Sequence, residues 1–122
     1  MNQARTILYV DDEEINQFIF LRYFESKFKI FTASSGVEAI NVLNSHHGEI
    51  DVVISDMRMP GMDGIEFIRQ ARENFKKQNY FLLTAFTNNE ELETAVSDKV
   101  VDKIFNKPYD VSTVLKELEK LG

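Results

Sequence analysis

The sequence predicts an α/β fold in which five strand and helix pairs, (βα)5, form a doubly wound three-layer sandwich around a five-stranded parallel sheet. Short apolar runs and helix-like segments alternate along the whole chain of 122 residues. The apolar runs are nearly continuous, which is typical of strands that helices cover on both faces of a parallel sheet. With 43% hydrophobic residues, the range 1–122 suits one compact domain with a real core.

Five runs have the length and the residue types of buried strands. Several contain β-branched or aromatic residues, and each is followed by polar or turn residues, which end a strand. The runs are RTILYV (5–10), KIFTA (29–33), DVVIS (51–55), YFLLTA (80–85) and KIFN (103–106).

Helix-like segments separate these strands. They lie near residues 14–27, 35–45, 64–76, 88–97 and 110–120. Ser35, Asn88 and Asp110 are suitable N-caps, because a short polar side chain can accept a hydrogen bond from a free backbone N–H of the first turn. In such a fold the ligand crevice lies at the carboxyl ends of the strands.

Composition and charge exclude several classes of protein. The chain has no cysteine, which rules out disulfides and thiolate chemistry and makes a reducing cytoplasm the expected location. No apolar stretch approaches the roughly 20 residues that span a bilayer, and the amino terminus lacks the pattern of a signal peptide. The net charge of −6, with dispersed lysines, argues against direct binding to a nucleic-acid backbone.

Polar side chains gather at the predicted strand ends. Asp56 follows the third strand directly, and turn residues after it (Pro60, Gly61 and Gly64) leave its carboxylate at the rim of the sheet. Because parallel strands end at the same rim, the other strand ends should add their side chains to the same crevice. These side chains are Asp11 and Asp12 after the first strand, Thr84 in the fourth and Lys107 after the fifth.

The converging groups suit phosphoryl chemistry with a bound cation. Three crowded carboxylates repel one another unless a cation lies among them. Their hard oxygens are ligands that Mg²⁺ prefers, and Mg²⁺ commonly accompanies phosphate chemistry. An ionised Asp56 can attack phosphorus to give an aspartyl phosphate, and Thr84 and Lys107 are available to bind the phosphoryl oxygens.

Four motifs on four strand ends resemble the response-regulator receiver domain of two-component signalling, of the single-domain kind that acts in chemotaxis. The motifs are YVDDE, SDMRMPGMDG, LLTA and NKP, and their order and spacing match the family over nearly the whole chain. The resemblance implies a flavodoxin-like strand order 2-1-3-4-5 and a phosphoacceptor aspartate on the third strand, which here is Asp56. The phosphoryl donor would be a phosphohistidine of a histidine kinase or of a histidine phosphotransfer protein.

The resemblance also implies how the metal is held. Asp12 would ligate Mg²⁺ directly and Asp11 largely through water, while Asp56 and the backbone carbonyl of Arg58 would complete the protein's share. Thr84 would contact the phosphoryl oxygens.

Lys107 would contact the phosphoryl oxygens as well. The small Ala85 would leave access to the acceptor, and the peptide bond between Lys107 and Pro108 is a candidate for the cis form that the family has at this place.

The resemblance also implies that two positions set the lifetime of the phosphorylated state. They are Arg58 and Phe86, two residues beyond the acceptor and the threonine, where a long cation and a ring would shield the path of the hydrolytic water. Receivers commonly carry Tyr or Phe three residues before the lysine, and here that position is Ile104. Phe105 should face the opposite side of the strand, so we expect no ring-based switch and a signal that depends on other groups.

The first helix is predicted to carry more apolar residues than one buried stripe can use. A core-facing spacing is found for Ile19, Phe20, Tyr23 and Phe24. This leaves Ile15, Phe18 and Leu21 on or near the exposed side. Since the first helix of receivers often packs against the helical bundle of the donor, Ile15 and Phe18 are assigned to donor recognition. The alternative is a broad core stripe.

Two other classes of protein share part of this pattern. A haloacid-dehalogenase phosphatase also uses Asp, Mg²⁺, Thr and Lys, but its second aspartate is replaced here by Arg58 and there is no cap domain. A purely structural interaction module of receiver shape would not need the complete set of acidic residues, threonine and lysine. His46 and His47 lie in a polar segment and are given no role.

The sequence ends just after the fifth helix pattern, so we expect the signal to pass to a separate protein target. A free-standing regulator, a phosphorelay shuttle and a piece of a longer protein all remain open. In each case the chain would catalyse its own phosphorylation and dephosphorylation and would not be an enzyme acting on other substrates.

Overall fold

The computed structural model describes residues 5–85 and 90–121, and its centre is a five-stranded parallel sheet. The strands are β1 (Thr6–Val10), β2 (Lys29–Ala33), β3 (Val52–Asp56), β4 (Asn79–Thr84) and β5 (Lys103–Asn106). Their order is β2-β1-β3-β4-β5, and each neighbouring pair is parallel. The predicted doubly wound sheet and its order are therefore confirmed.

The described residues contain the five predicted helices. These are α1 (Glu14–Phe24), α2 (Gly36–His46), α3 (Gly64–Asn74), α4 (Glu90–Ser97) and α5 (Val111–Glu119). The predicted ends of α1 and α3 are too late. After α1 the chain makes one further turn, in which the backbone N–H groups of Lys27 and Phe28 share the carbonyl of Phe24, and Phe28 is buried before β2 begins. Within the described ranges no helix is both long enough and apolar enough to cross a membrane.

Side-chain caps begin two of the helices. Ser35 caps α2 as predicted, because its hydroxyl accepts a hydrogen bond from a first-turn backbone N–H. The sequence prediction missed Asp63, which forms a reciprocal capping box with Glu66 at the start of α3. Asp110 occupies the N-cap position of α5, but its carboxylate accepts hydrogen bonds from two first-turn hydroxyl groups. Asn88 lies outside the described residues.

Two layers of apolar side chains cover opposite faces of the sheet, since neighbours along a strand point to opposite sides. Helices α2, α3 and α4 pack on one face, against strand residues that include Leu8, Val10, Val53, Tyr80 and Leu82. Helices α1 and α5 pack on the other, against strand residues that include Ile7, Tyr9, Ile54, Phe81 and Phe105. With both faces covered, the rim at the carboxyl ends of the strands remains for polar groups.

Helix α1 meets the sheet along a narrower line than predicted. Phe20 and Phe24 are buried as expected, but Ile19 and Tyr23 are 40% and 54% exposed, so their assignment to the core is wrong. The two large phenylalanine rings already fill the space between helix and sheet, and Tyr23 instead packs edge-on against Tyr109 at the surface, with ring centroids 6.2 Å apart. The broad core stripe is therefore excluded.

The register of β5 determines which side chain faces α4. Ile104 pairs with Leu82, and Phe105 pairs with Leu83, without a bulge. Ile104 packs with the α2–α4 layer, whereas Phe105 is buried in the opposite layer, edge-on to Phe81 at a centroid distance of 5.6 Å. The prediction that Phe105 is a core residue on the side of the strand opposite to Ile104 is confirmed.

Candidate functional site

Backbone pairing continues just past the ends of β1, β3 and β5, at the rim where all the parallel strands end. The N–H of Asp11 donates to Ala33 O at 3.0 Å, and that of Met57 donates to Leu83 O at 2.9 Å. The N–H of Lys107 donates to the carbonyl of Thr84 at 2.8 Å. These backbone bonds hold Asp11, Asp56, Thr84 and Lys107 near one another at the rim.

Three carboxylates converge at this rim, as the sequence predicted. Asp11, Asp12 and Asp56 each offer an oxygen atom, and these three atoms lie within 4.8 Å of one another. Asp11 and Asp56 are buried, while Asp12 is partly exposed and leaves the cluster open to solvent. A set of hard carboxylate oxygens with an open side suits a small divalent cation such as Mg²⁺, which keeps several waters.

Lys107 brings a positive charge to the carboxylate of Asp56. Its Nζ lies 2.6 Å from Oδ1 of Asp56, and its side chain is 28% exposed. Thr84, the last residue of β4, is buried at the same rim. The peptide bond between Lys107 and Pro108 is cis, as the resemblance implies. The hydroxyl, the ammonium group and the acidic cluster therefore occupy one end of the sheet.

Burial raises the pKa of the Asp56 carboxyl above its ordinary value. The ion pair with Lys107 opposes this effect, and the nearby charge of Asp11 adds to it. Since the net shift of the pKa is upward, the folded protein holds the ionised Asp56 at a cost in free energy. A cation bound among the three carboxylates would remove that cost.

The loop after β3 returns very close to the end of that strand. The N–H of Gly64 donates to the carbonyl of Met57 at 2.8 Å. A Cβ atom at position 64 would lie 2.5 Å from the backbone oxygen of Asp56 and 2.7 Å from Leu82 Cδ1, so glycine is required there. Gly61 has a φ of +81°, which favours glycine. The turn residues noted in the sequence thus allow α3 to start directly beneath Asp56.

The remaining predicted positions that the structure describes are less buried than Asp11, Asp56 and Thr84. Arg58 and Ala85 are exposed, on the loops that follow β3 and β4. Phe86 lies outside the described residues. Ile104 is partly buried on the α4 side of β5.

The sequence prediction missed the contacts that hold Asp11. Its Oδ2 accepts a hydrogen bond from the Tyr9 hydroxyl at 2.8 Å, and its backbone oxygen accepts one from Gln17 Nε2 at 2.8 Å. Tyr9 and Asp11 are two residues apart at the end of a strand, so their side chains point to the same side. This spacing in the sequence could have predicted the hydrogen bond between Tyr9 and Asp11.

A cavity of about 340 Å³ lies beside the rim, between α1 and the segment that follows β5. Ile19 and Tyr23 line it from the helix, and Lys107 and Tyr109 from the other side. Tyr9 also contributes to its wall, so this cavity reaches from the exposed face of α1 to the ammonium-bearing residue of the site.

The family model of the response regulator receiver domain matches residues 7–119. The chain belongs to the receiver-domain family. Receiver domains are the phosphoacceptor modules of two-component signalling, and the rim described above is where the fold places such chemistry.

Individual relatives agree with this assignment. Sporulation initiation phosphotransferase F of Bacillus subtilis is 26% identical over 117 residues, which cover 93% of this chain and 90% of that protein. The hydrogenase transcriptional regulatory protein HoxA of Cupriavidus necator is 29% identical over 99% of this chain, but the match spans only 26% of that relative. The chain thus spans about a quarter or less of the length of several relatives that it matches. Among solved structures, chemotaxis protein CheY4 of Vibrio cholerae is 26% identical, with a TM-score of 0.86 over 98% of this receiver and 100% of that chain.

The raised pKa of Asp56 predicts how the stability of this receiver depends on pH when no metal is present. A carboxyl whose pKa is higher in the folded than in the unfolded state adds stability once it is protonated. That gain is complete below the unfolded pKa and is lost as the pH rises through the folded pKa. Asp56→Asn removes the charge, so in EDTA at neutral pH it should melt at a higher temperature than the natural protein.

The gap between the two melting temperatures should narrow as the pH falls. A difference of about 1 kcal/mol would shift the Tm of a domain of this size by about 4 °C, which circular dichroism melts resolve. Asp98→Asn is the matched control, because Asp98 is an exposed carboxylate away from the rim. A lower Tm for Asp56→Asn at neutral pH would contradict the prediction.

Proposed function

We propose that Asp56 is the phosphoacceptor of this receiver and that its donor is a phosphohistidine of a cytoplasmic histidine kinase or histidine phosphotransfer protein. One observation carries the proposal: the Asp56 carboxylate is shared between the ammonium group of Lys107, at 2.6 Å, and a cluster with Asp11 and Asp12. A buried carboxylate with a cation on one side and an acidic cluster on the other suits a group that must meet an anionic phosphoryl donor.

The transfer step uses atoms that the site already holds. An oxygen of Asp56 attacks phosphorus, and a P–O bond forms while the P–N bond to the donor histidine breaks and its electron pair leaves with the imidazole. Lys107 moves from the carboxylate to the phosphoryl oxygens, and the Thr84 hydroxyl donates to them. Ala85 leaves room for the donor at the rim.

The acidic cluster would hold Mg²⁺, with Asp12 and Asp56 as direct ligands, Asp11 acting largely through water and the backbone carbonyl of Arg58 as a further ligand. When bound, Mg²⁺ supplies the positive charge that lets an anionic carboxylate and an anionic phosphoryl group approach each other. The donor chemistry of the three carboxylates fits this ion.

We infer that the phosphorylated form changes binding to a separate protein target, and that the receiver does not act as an enzyme on other substrates or bind nucleic acid itself. Ile104 cannot bury and expose a large ring, and Phe105 faces the opposite layer. The signal would then depend on movement of Thr84 toward the phosphoryl group and on a modest rearrangement of the α4 side.

Phosphorylation of Asp56 can be tested directly with acetyl phosphate, a donor that needs no partner protein. We expect labelling of the natural protein only with Mg²⁺ and none of Asp56→Asn. Lys107→Ala should bind Mg²⁺ with little change but should be labelled slowly, because the ammonium group meets the phosphoryl oxygens and not the metal. Undiminished labelling of Asp56→Asn would remove the assignment, and an equal loss of Mg²⁺ affinity in Lys107→Ala would remove the role given to that lysine.

Ile15 and Phe18 are proposed to dock the donor. They are 61% and 57% exposed on α1, so they stabilise the fold little and remain available to a partner. Two other residues of the same helix, Ile19 and Tyr23, line the cavity that reaches Lys107. Replacing both by Ala should slow transfer from the cognate donor about tenfold or more, as expected from the loss of apolar contact area, and should leave acetyl phosphate labelling unchanged.

Val37→Ala is the matched control for docking, because Val37 is 62% exposed but lies on α2. Stopped-flow or quench-flow transfer rates would compare the three proteins. Equal transfer rates in the natural protein and in the double variant would refute the docking role.

Arg58 and Phe86 are proposed to shield the aspartyl phosphate from water. Arg58 is exposed two residues after Asp56, on the loop that follows β3. Arg58→Ala or Phe86→Ala should shorten the half-life of the labelled protein severalfold, measured as the decay of radiolabelled phosphate. Arg69→Ala, an exposed arginine on α3, should decay as the natural protein does. A half-life that is unchanged or longer in both site variants would rule the shielding out.

A further inference from the structure

We propose that Tyr9 is a positioning residue of the metal site, which acts by holding the carboxylate of Asp11. The inference rests on the proposed function, in which Asp11 helps to hold Mg²⁺. Tyr9 is buried in β1 and has no role in the proposed transfer step.

The contact is buried and short. The Tyr9 hydroxyl donates to Oδ2 of Asp11 at 2.8 Å, with Tyr9 1% exposed and Asp11 fully buried. A hydrogen bond to an ionised acceptor away from water is among the stronger ones in a protein. Solvent cannot readily replace the hydroxyl as a donor at this position.

Two further hydrogen bonds fix the position of Asp11. The N–H of Glu13 donates to its other oxygen, Oδ1, at 3.0 Å, and Gln17 Nε2 donates to its backbone carbonyl at 2.8 Å. Each carboxylate oxygen thus has one donor from the protein, which sets the rotation of the carboxylate plane. Since each oxygen of a carboxylate can accept more than one hydrogen bond or metal contact, the remaining capacity is free for the acidic cluster.

The position of the hydroxyl is itself fixed by packing. The Tyr9 ring stacks on Phe20 of α1, with centroids 4.1 Å apart and planes 6° from parallel. Phe20 in turn packs against Phe24, at a centroid distance of 4.6 Å. A phenylalanine at position 9 would keep these ring contacts, so what the tyrosine adds is the bond to Asp11.

Groups that orient a metal-binding carboxylate commonly change metal affinity about 10- to 100-fold when they are removed. Without the Tyr9 hydroxyl, Asp11 would keep only the Glu13 contact on its carboxylate, which could then rotate away from the orientation that the cluster needs. The expected effect is weaker Mg²⁺ binding in a protein whose fold is intact.

The test is a calorimetric Mg²⁺ titration of Tyr9→Phe together with acetyl phosphate labelling across a range of Mg²⁺ concentrations. We expect about tenfold weaker Mg²⁺ binding. Labelling should need correspondingly more Mg²⁺ but should reach nearly the natural rate at saturation, which a merely structural defect would not produce. Unchanged or tighter Mg²⁺ binding by Tyr9→Phe would overturn the proposal.

Tyr80→Phe is the matched control. Tyr80 is also fully buried in the sheet, and its hydroxyl donates to the carbonyl of Phe75 at 2.9 Å, away from the rim. It should lose stability without losing Mg²⁺ affinity, and an equal loss of affinity in both variants would overturn the proposal.

A double-mutant cycle tests whether Tyr9 acts through Asp11. In an Asp11→Asn background, Tyr9→Phe should weaken Mg²⁺ binding no further, and an undiminished tenfold effect there would overturn the proposal. Absence of Mg²⁺ binding in the natural protein would instead count against the proposed function, so the two failures can be told apart.

Discussion

The crowding of three carboxylates at one rim of the sheet is the constraint on which the rest of this structure depends. Asp11, Asp12 and Asp56 offer oxygens within 4.8 Å of one another, and two of the three are buried. Like charges in that arrangement are stable only if donors and cations surround them. Lys107 supplies a cation, and the Tyr9 hydroxyl and the Glu13 N–H supply donors, so these contacts answer a single electrostatic requirement.

The fold confines the charged and polar groups around these carboxylates to a small region at the rim. Parallel strands covered by helices on both faces leave no polar face within the sheet, and the two apolar layers run close to its edge. The backbone must then come very near to Asp56, as it does at Gly64, where a Cβ atom would collide with the strand. Apolar packing therefore fixes the geometry of the charged site, and the charged site limits which residues can pack there.

Helix α1 has one side that packs on the sheet and another that is open to solvent. Its buried side consists of two phenylalanines four residues apart, which leaves much of its apolar surface outside. That outer surface continues into the cavity beside Lys107. A partner that covers it would come close to Asp56 without disturbing the core, which is the arrangement that a phosphoryl donor requires.

The sequence by itself determined the fold class, the strand order through the family resemblance, and the set of groups at the rim. These follow from local patterns: apolar runs, turn residues, and the rule that parallel strands end on one side. The tertiary structure decided which side of each element is covered. Ile19 and Tyr23 have a core-facing spacing, yet they are exposed. Phe20 and Phe24 of the same helix fill the space beneath α1, where Phe20 stacks on Tyr9 of β1. The bond from Tyr9 to Asp11 likewise depends on Phe20, which places the ring, and spacing along the chain cannot specify that packing.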